Sequence, residues 1–131
     1  MRTFVHVLIV MALAGCAGRS AIESDVCEIA SNQEFLGKMV RLEGSVRAAT
    51  HSRIVLYDDS CSKTIGISIP SAMDGDARVE QLRQVALQGY PQTIGQHKAE
   101  VTIEGIVYIA QSGAPIRSLE LTRIVRFDRG G

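Results

Sequence analysis

The chain has 131 residues, 46% of them hydrophobic and 21% charged, with 14 Lys and Arg against 14 Asp and Glu. That length suits one globular domain and excludes a second sizeable core, while the balanced charge excludes a strong field steering the chain toward polyanions.

Met1-Arg2 makes a positive start, residues 4–13 are mostly apolar, and Ala12-Leu13-Ala14-Gly15-Cys16 closes the run with small residues around a cysteine. The run is shorter than the roughly 20 residues that span a bilayer, so a signal peptide over residues 1–15 is the better account. Leu13-Ala14-Gly15-Cys16 resembles the lipobox of bacterial lipoproteins. That resemblance implies that Cys16 becomes the lipidated first residue of the mature chain, where each buried methylene adds about 0.8 kcal/mol of membrane affinity. Ala17 and Gly18 follow where inner-membrane lipoproteins carry Asp, so the resemblance also implies an outer-membrane anchor facing the periplasm. Cleavage would remove Arg2 and leave one acid in excess. The competing reading is an ordinary secretory signal that leaves Cys16 a free thiol.

Residues 16–26 are small, polar and without period, and read as a flexible tether to a domain over residues 27–131. Residues 28–36 suggest a helical turn or two, stopped by Gly37, with Phe35 and Leu36 plugging one end of the fold. With Cys16 assigned to lipid, Cys27 and Cys61 remain in an oxidising compartment and are expected to pair. Closing a loop of about 35 residues constrains the unfolded chain by roughly 3 to 4 kcal/mol.

Val40-Arg41-Leu42-Glu43-Gly44-Ser45-Val46 returns almost unchanged as Val101-Thr102-Ile103-Glu104-Gly105-Ile106-Val107. Both alternate branched apolar and polar residues, the period of a half-buried strand, and each has an interior Gly of the kind that marks a bulge or bend. The first strand covers residues 39–48, with Val40, Leu42 and Val46 inward. A loop through His51 leads to strands over residues 53–57 and 63–69, with Asp58-Asp59-Ser60 as the turn. Val79, Leu82, Val85 and Ala86 then recur at helical spacing, with Asp74 or Asp76 as cap and Gly89 as stop. Strands over residues 99–109 and 116–127 follow, joined by a turn at residues 111–115, with Leu119, Leu121 and Ile124 as core contacts.

This order, β-β-β-α-β-β, together with Gly37-Lys38-Met39-Val40-Arg41-Leu42-Glu43-Gly44-Ser45-Val46, resembles the OB-fold. The resemblance implies an all-β, five-stranded Greek-key barrel with one helix, binding its ligand on strands two and three and the loops beside them. A cysteine pair like Cys27 and Cys61 is similarly seen in small exported OB-like proteins. Alternation and the curl of such a barrel bring Arg41, Arg47, His51, Arg53 and Tyr57 to one ligand-binding surface. One ring among them is a poor stacking platform, so nucleic acid is not expected as a partner.

No catalytic set emerges. Gly66-Ile67-Ser68-Ile69-Pro70 touches a nucleophile motif but has Pro in place of its last Gly and lies in a strand. Asp74-Gly75-Asp76 lacks the further ligands of a calcium loop. His51 and His97 neighbour Asp58, Asp59 and Glu100 in sequence only, without metal-ligand spacing. No metal or cofactor is expected. The sequence therefore reads as a non-catalytic, membrane-anchored binding or assembly module contacting an envelope protein or glycan. An envelope hydrolase and an oligonucleotide-binding OB protein are the alternatives.

Overall fold

Strand β2 (Met39–Ala49) is long enough to serve two neighbours, and its change of partner curls the sheet. The computed structural model describes residues 20–88, 91–92, 99–110 and 116–129. Around β2 these form β1 (Ile22–Glu23), α1 (Val26–Ser31), β3 (Arg53–Tyr57), β4 (Thr64–Ser68), α2 (Ala77–Ala86), β5 (Ala99–Ala110) and β6 (Ile116–Arg129). Residues 39–46 of β2 run antiparallel to β5, and residues 45–49 run antiparallel to β3. β3 pairs with β4, β4 runs parallel to β6, and β6 pairs with β5, so the circuit closes. A closed Greek-key barrel with a helix between its third and fourth strands is the OB-fold.

The interior glycines of the two matched strands sit where the sheet bends. At Gly44, β2 is passing from β5 to β3, and a Cβ there would lie 2.8 Å from the Tyr57 carbonyl oxygen. At Gly105, the β5–β6 register shifts, and a Cβ would meet the Glu120 carbonyl oxygen and lie 2.7 Å from Leu119 Cγ. The alternation holds on both sides of these bends. Val40, Leu42 and Val46 are fully buried, as are Ile103, Val107 and Leu119 from the strands opposite, and Leu121 and Ile124 are nearly so.

α2 covers the core with Val79, Leu82, Val85 and Ala86, the residues its period marks out. Its first turn is held by the Asp76 carboxylate, which accepts from the amides of Arg78 and Val79. Arg78 Nη1 donates to the Ile124 carbonyl at 3.0 Å, which fastens the helix to β6 beside the register shift that skips Val125.

The N-terminal part departs from expectation. Ile22 and Glu23 pair in parallel with Val40 and Arg41, the Ser24 amide donates to the Arg41 carbonyl, and Val26 is fully buried. The folded body therefore begins at Ile22 rather than at residue 27, and the sheet has a sixth strand. Two residues are too few to show a period, which is why this stretch reads as tether. α1 starts at Val26, capped by Asp25, whose carboxylate accepts from the Glu28 amide at 2.8 Å. Val26 and Ile29 are the plug, while Phe35 and Leu36 pack half-buried beside them. The disulfide joins Cys27 to Cys61 with Cα atoms 6.0 Å apart, fastening α1 to the turn between β3 and β4.

Smaller differences are confined to strand ends. β2 and β5 each run one residue longer than their periods suggest, β4 is trimmed at both ends, and β6 continues to Arg129. The signal peptide, Cys16, Gly89, His97 and the turn at 111–115 lie outside the described residues. Among the described residues no helix is long and apolar enough to cross a membrane.

Candidate functional site

Five side chains, Arg41, Arg47, His51, Arg53 and Tyr57, are expected on one surface, and the partner change of β2 divides them. Arg41 lies in the half paired with β5, opposite Glu104. Its Nε and Nη2 reach Glu104 Oε2 at 3.0 and 2.9 Å, and Arg123 Nε from β6 reaches Oε1 of the same carboxylate at 3.0 Å. Burial pushes the Glu104 carboxyl up, but the two guanidiniums outweigh it and hold the group below the usual carboxylate range. Glu43 and Arg126 repeat the arrangement one step along, at 3.4 Å. Arg41 is thus one rung of a charge ladder that stitches β2, β5 and β6 together.

Arg47, Arg53 and Tyr57 lie in or beside the other half. Arg47 pairs with Val55 and Ala49 with Arg53, so both arginines share the outer face of β2 and β3. The Arg47 guanidinium sits 4.1 Å above the Tyr57 ring centroid, and Tyr57 is only 9% exposed, so the ring supports the cation and offers no open stacking surface. His51 is exposed at the tip of the connecting turn with φ of 63°, a left-handed conformation uncommon for a residue with a side chain.

The partners of the arginines separate this pair from the rest. Arg41, Arg83, Arg123 and Arg126 are matched by carboxylates, while Arg78 and Arg117 donate to backbone carbonyls. Arg47 and Arg53 have no anionic or carbonyl acceptor among the described residues.

Arg53 opens onto a groove of about 500 Å³. Its floor follows one cross-strand row, Val55 opposite Gly66, Gly66 opposite Ser118 and Ser118 opposite Tyr108. Gly66 keeps this floor low, since a Cβ there would lie 2.9 Å from Ser118 Oγ. Thr50 and Arg53 form one end, Tyr108 and Ala110 the other, Arg83 also lines it, and among the described residues no carboxylate, histidine or cysteine does. Gly66 and Ser118 escape a sequence reading because the register that joins them runs between strands about fifty residues apart. The alternation of β5 and β6 carries the one available signal, placing Tyr108 and Ser118 on outward positions.

The acids gather elsewhere. Glu23, Asp25, Glu43 and Asp58 line a separate concavity of about 390 Å³. Asp58 accepts from the Ser60 amide and hydroxyl at 2.9 and 2.8 Å, and these bonds hold its carboxyl below the ordinary range. Neither Asp58 nor Glu104 lines the groove, and local partners account for both shifts, so they do not mark an acid–base site. Among the described residues no group of three or more His, Cys, Asp or Glu is placed to hold a metal ion. The groove offers the Arg53 guanidinium at one end to an anionic group.

No protein-family model matches the chain, and no curated protein matches it. Among solved structures it is similar to a chain of the S. pombe Stn1-Ten1 complex, with 18% identity over 82% of this chain and 76% of that one, at a TM-score of 0.45. It is also similar to the telomere capping protein Ten1 from Saccharomyces pombe, with 16% identity over 80% of this chain and 79% of that one, at a TM-score of 0.44. At these identities the likeness concerns the fold alone. One expectation is nevertheless corrected. The exclusion of nucleic acid as a partner, drawn from sparse aromatic residues, does not stand, because the groove that Arg53 lines offers a guanidinium to a phosphate, and that exclusion weighed rings alone. Nucleic-acid binding can rest on phosphate charge without stacking, which a count of rings overlooks.

Proposed function

We propose that the chain is a non-catalytic OB-type binding module that lays an extended anionic oligomer, with a single-stranded oligonucleotide as the first case, along the groove of β3, β4, β6 and β5. The observation that carries this reading is Arg53, which opens onto the groove with no anionic or carbonyl acceptor among the described residues, with Arg47 near it on the outer face of β2 and β3. A guanidinium without an acceptor among the described residues, beside a concavity that none of their carboxylates lines, is ready to meet a phosphate or similar group bidentately. Among the described residues no carboxylate, histidine or cysteine lines the groove, which supports binding rather than hydrolysis. Leu13-Ala14-Gly15-Cys16 supports a lipid anchor on Cys16, with Ala17 and Gly18 favouring the outer membrane of a two-membrane cell.

Binding is tested by fluorescence anisotropy with a labelled oligothymidylate, competed by neutral and by anionic glycan oligomers. Arg47→Ala with Arg53→Ala is expected to weaken capture roughly thirtyfold, at about 1 kcal/mol for each screened contact, and to flatten the salt dependence. Arg41→Ala, which removes a rung of the ladder, leaves affinity unchanged. If the double variant binds every anionic probe as tightly as the parent, the groove is not the binding surface.

A further inference from the structure

We infer that Arg83 of α2 is the second anion-binding cation of the groove, restrained by Asp74 and Glu80, and that the ligand therefore carries at least two anionic groups. The inference rests on the groove being the binding surface proposed above, and it concerns what that surface selects. Among the described residues Arg53 and Arg83 are the two cations that line the groove, and they reach it from different elements, Arg53 from the first position of β3 and Arg83 from the last turn of α2. One phosphate or carboxylate fits one guanidinium bidentately, so two guanidiniums on separate elements call for two such groups.

The two cations are held differently. Arg53 has no anionic or carbonyl acceptor among the described residues, whereas Arg83 Nη1 donates to Glu80 Oε1 at 3.0 Å and Nη2 to Asp74 Oδ1 at 3.2 Å. Glu80 stands one turn back along α2, Asp74 lies just before the helix, and neither lines the groove. A guanidinium has five N–H donors, and these bonds use two of them, so Arg83 can accept an anion while its own partners stay attached. The Arg83 side chain is 31% exposed and those of Glu80 and Asp74 are 46% and 60% exposed. Ion pairs this open to water are weak, so the two acids position the guanidinium without locking it.

Charge supplies the restraint. One guanidinium with two carboxylates carries a net single negative charge, so α2 brings an acid in excess to the edge of the groove, where β3 brings an unmatched cation. A ligand with one anionic group is served by Arg53 alone. The second group of an oligoanion has to approach Arg83 against Asp74 and Glu80, and the two acids therefore lower the affinity of the groove for such ligands. Removing their charge while keeping Arg83 should tighten binding, and the gain should depend on Arg83.

The test follows the anisotropy of a labelled oligothymidylate on the full chain and its variants through a salt series, with thermal unfolding as the check on folding. Asp74→Asn with Glu80→Gln is expected to tighten binding about fivefold and to steepen the salt dependence. Where that pair fails to fold, Asp74→Asn alone is read, at about twofold. Adding Arg83→Ala is expected to remove the gain and to lower the slope of log affinity against log salt by roughly 0.7, the share of one single-strand phosphate. Glu34→Gln with Asp59→Asn removes two exposed acids that do not line the groove, and is expected to leave affinity within about twofold of the parent. An equal gain from that control pair, a gain that survives Arg83→Ala, or no gain from the Asp74 and Glu80 changes overturns the role of Arg83. A parent and variants that hold no anionic probe at all overturn the groove as the binding surface, an outcome distinct from binding that ignores Arg83.

Discussion

Gly105→Ala tests whether the repeated strand sequence carries a glycine because the barrel needs one there. The added methyl would meet the Glu120 carbonyl oxygen of β6 and lie 2.7 Å from Leu119 Cγ, closer than side-chain carbons approach in folded proteins. Overpacking of this kind costs about 1 to 3 kcal/mol. Because one of the opposing atoms is backbone, relief requires β5 and β6 to part at the bulge, which forfeits a ladder hydrogen bond worth about 1 kcal/mol more. A loss of about 3 kcal/mol lowers the Tm of a domain this size by roughly 10 to 20 °C. The assay is thermal unfolding followed by circular dichroism, on the Cys16→Ser chain with its Cys27–Cys61 bond intact. Gly75→Ala is the control. Gly75 also needs a glycine, for its φ of 91°, but has open space around it, so the variant bears only the left-handed penalty of about 1 kcal/mol. If Gly105→Ala melts at or above the control, close approach at the bulge is not what selects glycine.

Glu104→Gln is expected to lower stability by about 1 kcal/mol at neutral pH, because the partly exposed Arg41 and Arg123 lose their shared carboxylate. The Glu104 pKa in the folded chain lies below its unfolded value, so its contribution is complete above about pH 4.3 and is lost as pH falls through the folded pKa. Urea titrations across that range should show the gap between parent and variant closing toward acid, and a constant gap would contradict the ion-pair account. Cys27→Ser with Cys61→Ser frees a link between residues 34 apart and should cost about 4 kcal/mol by denaturant midpoint. A midpoint equal to that of the parent would show that Val26 and Ile29 alone fix α1.

What the sequence by itself determined was whatever depends on neighbours along the chain. The alternation of Val40, Leu42 and Val46 settles which side of β2 is buried, and the spacing of Val79, Leu82, Val85 and Ala86 settles the helix and its inner face. Both are local periods, two residues for a strand and 3.6 for a helix, and each needs only a few turns or pleats to declare itself. Element order followed, and from that order the OB barrel. Only the tertiary structure decided which outward side chains share a surface. Arg41 and Arg47 stand on the same side of one strand by alternation, yet β2 exchanges β5 for β3 at Gly44 and Ser45, so Arg41 joins Glu104 and Arg123 while Arg47 joins Tyr57. The groove floor from Val55 through Gly66 and Ser118 to Tyr108 is likewise a matter of register between distant strands. β1 shows the same limit at the shortest scale, since Ile22 and Glu23 are a strand only because Val40 and Arg41 lie beside them. Periodicity is written in sequence, whereas register is set by closure of the barrel, which brings together residues that no local pattern connects.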